Sequence, residues 1–340
     1  MAELARCADP AVWDGFVTAA EDGSPLQSWS WGELKSRHGW SVERYLWREG
    51  EGIRAAASVL RRWLPGGILA LHYAPRGPVV GGDWSTWPRL WPALKKRLAE
   101  DGGSVFKVDP ESSQDPARFA LTSSGARISS HPIQHQATIV VDIRGGDQAL
   151  MRLKESTRRN IRQGERAGIL VEMSDASAAM DHFVDLLEET AARRQFTVRS
   201  RAYYRDLLAV FRERGQVQVF LARLGSRVLA GAVMLFFGRT LAYLYGGTAA
   251  DAAELKPGYL LHWRAVEEGQ RRGCERYDMW GVPLDPKPGH RGYGYYTFKS
   301  RFNGELRRYI GLYDLPVRPV EAAAVRLAER FVRAGQPEFV

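Results

Sequence analysis

The side chains best suited to chemistry lie in one aromatic, glycine-rich stretch. From Gly289 the chain reads Gly-His-Arg-Gly-Tyr-Gly-Tyr-Tyr-Thr-Phe-Lys-Ser-Arg-Phe-Asn-Gly, ending at Gly304. Lys299, flanked by Phe298 and Phe302, is a cation in a partly apolar setting, where it stabilises developing negative charge more strongly than in water. The competing reading is a surface lysine whose methylenes lie over aromatic rings. Arg301 adds a second cation two residues on. A further cationic feature begins at Leu153, where Arg158, Arg162 and Arg166 recur at steps of four on one helical face. That face either meets phosphates or is a solvated stripe partly balanced by Glu155 and Glu165.

These residues need a scaffold, and the alternation of helical and strand patterns points to a mixed α/β (α+β) architecture. Leu150 to Ala167 reads as a helix stopped by Gly168, followed by helices over Ala179 to Arg193 and Tyr203 to Arg214. Strands over Val217 to Leu224, Val228 to Phe237 and Leu241 to Tyr245 form an antiparallel meander, the first two joined at Gly225-Ser226. Pro257 opens a helix over Gly258 to Arg272. A strand at Tyr277 to Trp280, a short helix near Tyr296 to Phe302 and a strand from Leu306 to Tyr313 follow. Upstream, Ala11 to Ala20 and Leu90 to Asp101 read as helices and Val42 to Trp47 and Ile53 to Leu60 as strands. A strand at Ile139 to Ile143 is expected to close this half, with a boundary at Gly145-Gly146.

Composition bounds the rest. A chain of 340 residues has room for two domains at roughly 150 residues each. Lys plus Arg number 48 against 39 for Asp plus Glu, a formal charge of +9 that favours polyanionic partners such as RNA, diphosphates or an acidic lipid surface. Cys7 and Cys274 stand alone, so neither a disulfide framework nor a metal site is expected. Glu3, Asp9 and Asp14 interrupt the first twenty residues, and Val228 to Phe237 is half the length a spanning helix needs, so a cytoplasmic protein is expected.

The element order is that of an acyltransferase fold of the GNAT type. Acyl-CoA users of that fold hold a pyrophosphate on a glycine-rich loop at a helix N-terminus. Here Gln270 to Glu275, Arg212 to Val217 and Arg291 to Tyr296 each lack the final small residue, which disfavours acyl-CoA as donor.

The two cationic segments, with Tyr243-Leu-Tyr-Gly-Gly-Thr248, Lys256-Pro257, Leu260-Leu261-His-Trp263, Tyr277-Asp-Met-Trp-Gly281 and Tyr309-Ile-Gly-Leu-Tyr-Asp-Leu-Pro316, resemble the FemABX family of tRNA-dependent peptidoglycan aminoacyltransferases. The match runs from about Leu150 to Pro316; Gln27-Ser-Trp29, Lys35 and Arg76-Gly-Pro-Val79 extend it more loosely. The resemblance implies two GNAT-like domains in tandem, 1–145 and 146–316, with the C-terminal segment 317–340 returning as a helix to the first. Only Ala191 to Ala202 separates the helices between which some members insert a helical arm, so the short form is expected.

The same resemblance implies roles. Lys299 matches the family's catalytic lysine, which steadies the tetrahedral intermediate formed as an amine attacks an aminoacyl ester, and Phe298 shapes its pocket. Lys35, Arg199 and Tyr203 fall where the family binds the precursor's diphosphate and nearby groups. Asp83 stands near the position of an acid that follows the Arg-Gly-Pro-Val motif, although Gly81-Gly82 intervene; Tyr245 is either a pocket residue or strand packing. Arg158, Arg162, Arg166 and Arg301 become tRNA phosphate contacts. The expected partners are aminoacyl-tRNA as co-substrate, with no other cofactor, and UDP-MurNAc-peptide or lipid II as acceptor. A monomer is expected, with tryptophans of the first half, such as Trp29, Trp63 and Trp84, either packed in the core or touching the inner membrane face. Acyl-CoA transfer, transfer to a protein or lipid, and simple RNA binding stay open.

Overall fold

The computed structural model describes residues 2–332 apart from 65, 66, 68, 130 and 291. The tail 333–340 and Arg291 of the aromatic stretch therefore lie outside the described residues. The chain divides into two compact units, 1–136 with the chain from Arg308 onward, and Ala137–Arg307, each with a seven-stranded sheet.

The first unit runs β1 (Ala2–Arg6), α1 (Pro10–Ala19), α2 (Trp29–Ser36), β2 (Ser41–Glu49), β3 (Gly52–Trp63), β4 (Ala70–Ala74), α3 (Trp87–Glu100), β5 (Gly103–Val108), α4 (Asp115–Ser123) and β6 (Arg127–Ile128). Its strand order is β1-β2-β3-β4-β5-β14-β6, where β14 is Tyr313–Pro316. Asp9 caps α1 by accepting from the N–H groups of Ala11 and Val12, and Pro10 supplies the preset φ of a first helical turn. Buried Gln27 stitches two segments: its amide donates to the carbonyls of Ser58 and Pro75 and accepts from Ser58 N–H. A Cβ on Gly77 would meet that amide at 2.6 Å, so Gln27 and Gly77 of the two early motifs fit one structural contact. Trp31, Trp47, Trp84, Trp87 and Trp91 are buried, Trp91 stacking on both Trp87 and Phe106, whereas Trp63 is exposed. The C-terminal helix α11 (Pro319–Val332) lays Ala322 and Val325 against Val105 of β5.

The second unit runs β7 (Ala137–Asp142), α5 (Asp147–Arg152), α6 (Glu155–Arg166), β8 (Leu170–Ser174), α7 (Ser177–Arg194), α8 (Arg201–Arg212), β9 (Val217–Leu224), β10 (Arg227–Phe237), β11 (Thr240–Thr248), α9 (Pro257–Arg271), β12 (Arg276–Val282), α10 (Tyr293–Ser300) and β13 (Glu305–Arg308). The strand order is β13-β7-β12-β11-β10-β9-β8. Two features prepare a site. The parallel pair β11/β12 holds register only from Thr240/Arg276 to Ala242/Asp278, although both strands continue. Beyond Asp278, β12 also slips register against β7, and Trp280 there takes φ +64°. Residues 195–200 alone join α7 to α8, leaving no room for a helical arm.

Three expectations need correction. The strand at Ile139 to Ile143 does not close the first half: it is β7, paired with β12 in the second sheet, because sheet membership is set by partners remote in sequence. The strand expected over Leu306 to Tyr313 is two strands in different sheets, β13 and β14, parted where Gly311 takes φ +96°. The helix expected over Leu150 to Ala167 breaks at extended Leu153-Lys154, which drops Leu153 into the core.

Candidate functional site

In α10, Lys299 is the residue turned inward, only 7% exposed. Its Nζ donates to the carbonyl oxygens of Gly281 at 2.8 Å and Trp280 at 3.3 Å, both supplied by the irregular end of β12. An ammonium has three N–H groups, and no hydrogen bond among the described residues takes the third. The rings of Tyr243 on β11 and Tyr295 on α10 lie 5.4 and 5.3 Å from Nζ. Of these two rings Tyr295 is exposed to solvent. Burial pushes the lysine from its ordinary 10.5 down to about 7, against an opposing pull from the charge of Asp278. Near neutral pH this group therefore exists in both protonation states.

Aromatic rings of α9 and α10 pack on one another beside Lys299. Phe298 packs edge-on to Tyr259 at 5.1 Å and to Phe302 at 5.5 Å, and Phe302 stacks on Tyr259 at 5.8 Å. His262 on α9 meets Tyr243 edge-on at 4.5 Å, and its Nδ1 bonds the Tyr277 hydroxyl. Burial first, and the Lys299 charge second, push His262 down to about 3, so it stays a neutral ring. Burial likewise raises Tyr243 to about 12. A side chain on Gly246 would strike the Tyr243 hydroxyl at 1.8 Å, so the first residue of the Gly246-Gly247 pair leaves that phenol its space.

The α6 arginines divide. Arg158 donates to the carbonyls of Met151 and Leu153, satisfying the C-terminal end of α5. Arg162 and Arg166, with Arg159, line an open groove of about 330 Å³ together with Met151, Glu155 and Arg158. Glu165 is drawn away to Arg264 of α9 at 2.8 Å, which leaves this groove strongly positive. Arg301 is half-buried, and its carbonyl accepts from Thr157 of α6 at 2.7 Å, tying the end of α10 to that helix.

Arg199, Tyr203 and Tyr245 do come together: the Arg199 guanidinium lies 5.6 Å from the Tyr203 ring, and the Tyr203 and Tyr245 hydroxyls are hydrogen-bonded. Burial raises Tyr203 to about 12 and Tyr245 well above its usual range. In the first unit, Lys35 lies over the Trp31 ring at 4.5 Å. Exposed Asp83 accepts from Ser85 N–H and Oγ at the start of a short turn, and those bonds hold its carboxyl below the ordinary value.

Reasoning from sequence assigned no role to Tyr243, His262 or Asp278, although each stands in a motif quoted for the resemblance; only the fold shows that they surround one lysine. It also missed a buried cluster in the first unit. Asp109, after β5, accepts from Tyr73 Oη at 3.0 Å and Arg76 N–H at 2.7 Å, and burial raises its carboxyl to about 6. Arg76 covers the Tyr309 ring at 4.5 Å. Among the described residues no group of His, Cys, Asp and Glu is placed to hold a metal ion, and no helix is long and apolar enough to cross a membrane.

A family model for the acetyltransferase (GNAT) domain matches residues 151–300. The lipid II:glycine glycyltransferase of Staphylococcus haemolyticus (strain JCSC1435) is 22% identical, the alignment covering 88% of this chain and 90% of that protein. A crystal structure of FemX superposes with a TM-score of 0.87 at 20% identity, covering 95% of this chain and 100% of that one. A tandem GNAT protein from the clavulanic acid biosynthesis pathway superposes at 0.57 with 13% identity, covering 94% and 99%. The mixed α/β fold of this chain, with its two seven-stranded sheets, is thus similar to that of FemX and of the tandem GNAT protein.

Proposed function

We propose that this chain, an aminoacyltransferase of the FemABX family, moves an amino acid from aminoacyl-tRNA onto the stem-peptide amine of a peptidoglycan precursor. The observation that carries the proposal is the buried Lys299 ammonium, anchored by two carbonyls with its third N–H uncommitted among the described residues. An aminoacyl ester is already activated, so the enzyme's task is to align ester and amine and to stabilise the charge that collects on the carbonyl oxygen. The acceptor nitrogen bonds to the carbonyl carbon and that oxygen gains charge beside Lys299. The C–O bond to the ribose then breaks, and the ribose oxygen leaves with the proton given up by the amine. No acyl-enzyme is required.

The relatives' names point to lipid II as acceptor and glycine as the transferred residue. The reaction then belongs in the cytoplasm, where charged tRNA is made. The test is transfer from a pool of radiolabelled aminoacyl-tRNAs, with lipid II and UDP-MurNAc-pentapeptide offered separately. Label is expected in one precursor only while the ester is intact; label in neither, with transfer from acyl-CoA instead, would overturn the proposal.

The groove on α6 fits the tRNA backbone. Reversing charge in Arg162→Glu/Arg166→Glu is expected to make the salt dependence of tRNA binding shallower by about two in log–log slope, with kcat at saturating tRNA unchanged. An unaltered slope would mark this face as merely solvated.

A further inference from the structure

Asp278 is a buried carboxylate at the last paired position of β12 against β11. Its Oδ1 accepts both from the Thr138 hydroxyl of β7 and from Trp280 N–H at 2.8 Å. Those bonds span the point where β12 slips register and where Trp280 adopts its left-handed backbone, and the two carbonyls that hold Lys299 follow directly, at Trp280 and Gly281. Both bonds require an acceptor, not a charge; a neutral amide would make them at a lower cost of burial. The negative charge therefore calls for another explanation.

The groups around Lys299 supply one. From α9 comes His262, a neutral ring; from β11 Tyr243, a phenol raised to about 12; from α10 Tyr295; and from β12 Asp278. Asp278 is the acid whose charge opposes the desolvation of the lysine. No salt bridge joins the two among the described residues, so that charge favours the ammonium without occupying its N–H groups.

We propose that Asp278 is a positioning residue for Lys299: it clamps the end of β12 so that two carbonyls face the ammonium, and its charge keeps that lysine cationic for the reaction. The inference rests on the role given to Lys299 above, so the experiment reads the lysine itself as well as turnover. Lysine labelled with ¹³C and ¹⁵N at Cε and Nζ is titrated by NMR in the full chain, the Lys299 signal being assigned by its loss in Lys299→Met. Asp278→Asn retains the Oδ1 acceptor and removes the charge. It is expected to lower the Lys299 midpoint by about one unit or more, to move the high-pH limb of kcat by the same amount, and to leave the tRNA KM within about twofold. Asp278→Ala, which also loses the acceptor, is expected to lower kcat by roughly a further tenfold through misplacement of the lysine.

An unmoved midpoint in Asp278→Asn overturns the charge role, whatever the transfer activity, and equal kcat values for the Asn and Ala variants overturn the clamp. A midpoint that moves in a protein unable to transfer from aminoacyl-tRNA leaves the Asp278–Lys299 coupling standing and removes the proposed function instead. If Asp278→Asn does not fold, Asp278→Ser, with its short neutral acceptor, is read by the same criteria.

Discussion

Lys299→Met is expected to lower the transfer rate by about 100-fold or more, the scale of losing one donor to an oxyanion, while the tRNA KM changes little. Methionine fills nearly the same volume among Phe298, Tyr243 and Tyr295 without a charge that must be stripped of water. The variant is therefore expected to melt no lower than wild type, which separates lost chemistry from lost fold. The carbonyls of Trp280 and Gly281 lose a donor, and this offsets part of the stability gained by removing the buried charge. Single-turnover measurement with saturating aminoacyl-tRNA isolates the chemical step. Wild-type turnover in this variant would remove Lys299 from the mechanism.

Turnover is also expected to fall with rising pH, tenfold per unit above about pH 7, as the ammonium is lost. Stability moves the other way. The folded lysine titrates near 7 and the unfolded one near 10.5, so between those values the unfolded chain binds the extra proton. The penalty for burying the cation is full below about pH 7 and is relieved as pH rises through that window. Stability from this group therefore climbs while activity declines, and Lys299→Met abolishes both trends. A wild-type rate that stays flat from pH 7 to 9 would contradict a catalytic ammonium at this position. His262 cannot produce the limb, since it is neutral throughout the range.

How much of this was legible in the sequence depended on the distance over which each feature is decided. Helices with local punctuation were readable: Pro257 opens α9, and Gly168 follows α6 with φ +75°. Lys299 was legible because Phe298 and Phe302 flank it in the chain. Its anchors were not, since the carbonyls of Trp280 and Gly281 reach it only through a register slip between β12 and β7, strands some 135 residues apart in sequence. For the same reason β7 was assigned to the wrong half. The eight residues of α2, Trp29–Ser36, carry no sustained apolar stripe, and β5 begins inside the Gly102-Gly103 pair that stops α3, so neither element has a clear local signal in the chain. The even spacing of Arg158, Arg162 and Arg166 gave no hint that the first of them serves the backbone of α5.

The central claim is that the Lys299 ammonium binds the tetrahedral intermediate of aminoacyl transfer. Its most direct test is the affinity of a short acceptor-stem RNA ending in a phosphonate mimic of that intermediate, compared between wild type and Lys299→Met at pH 6.5. The mimic is expected to bind wild type about 100-fold more tightly, while the uncharged acceptor-stem RNA binds both alike. Equal affinity of the two proteins for the phosphonate would contradict the claim.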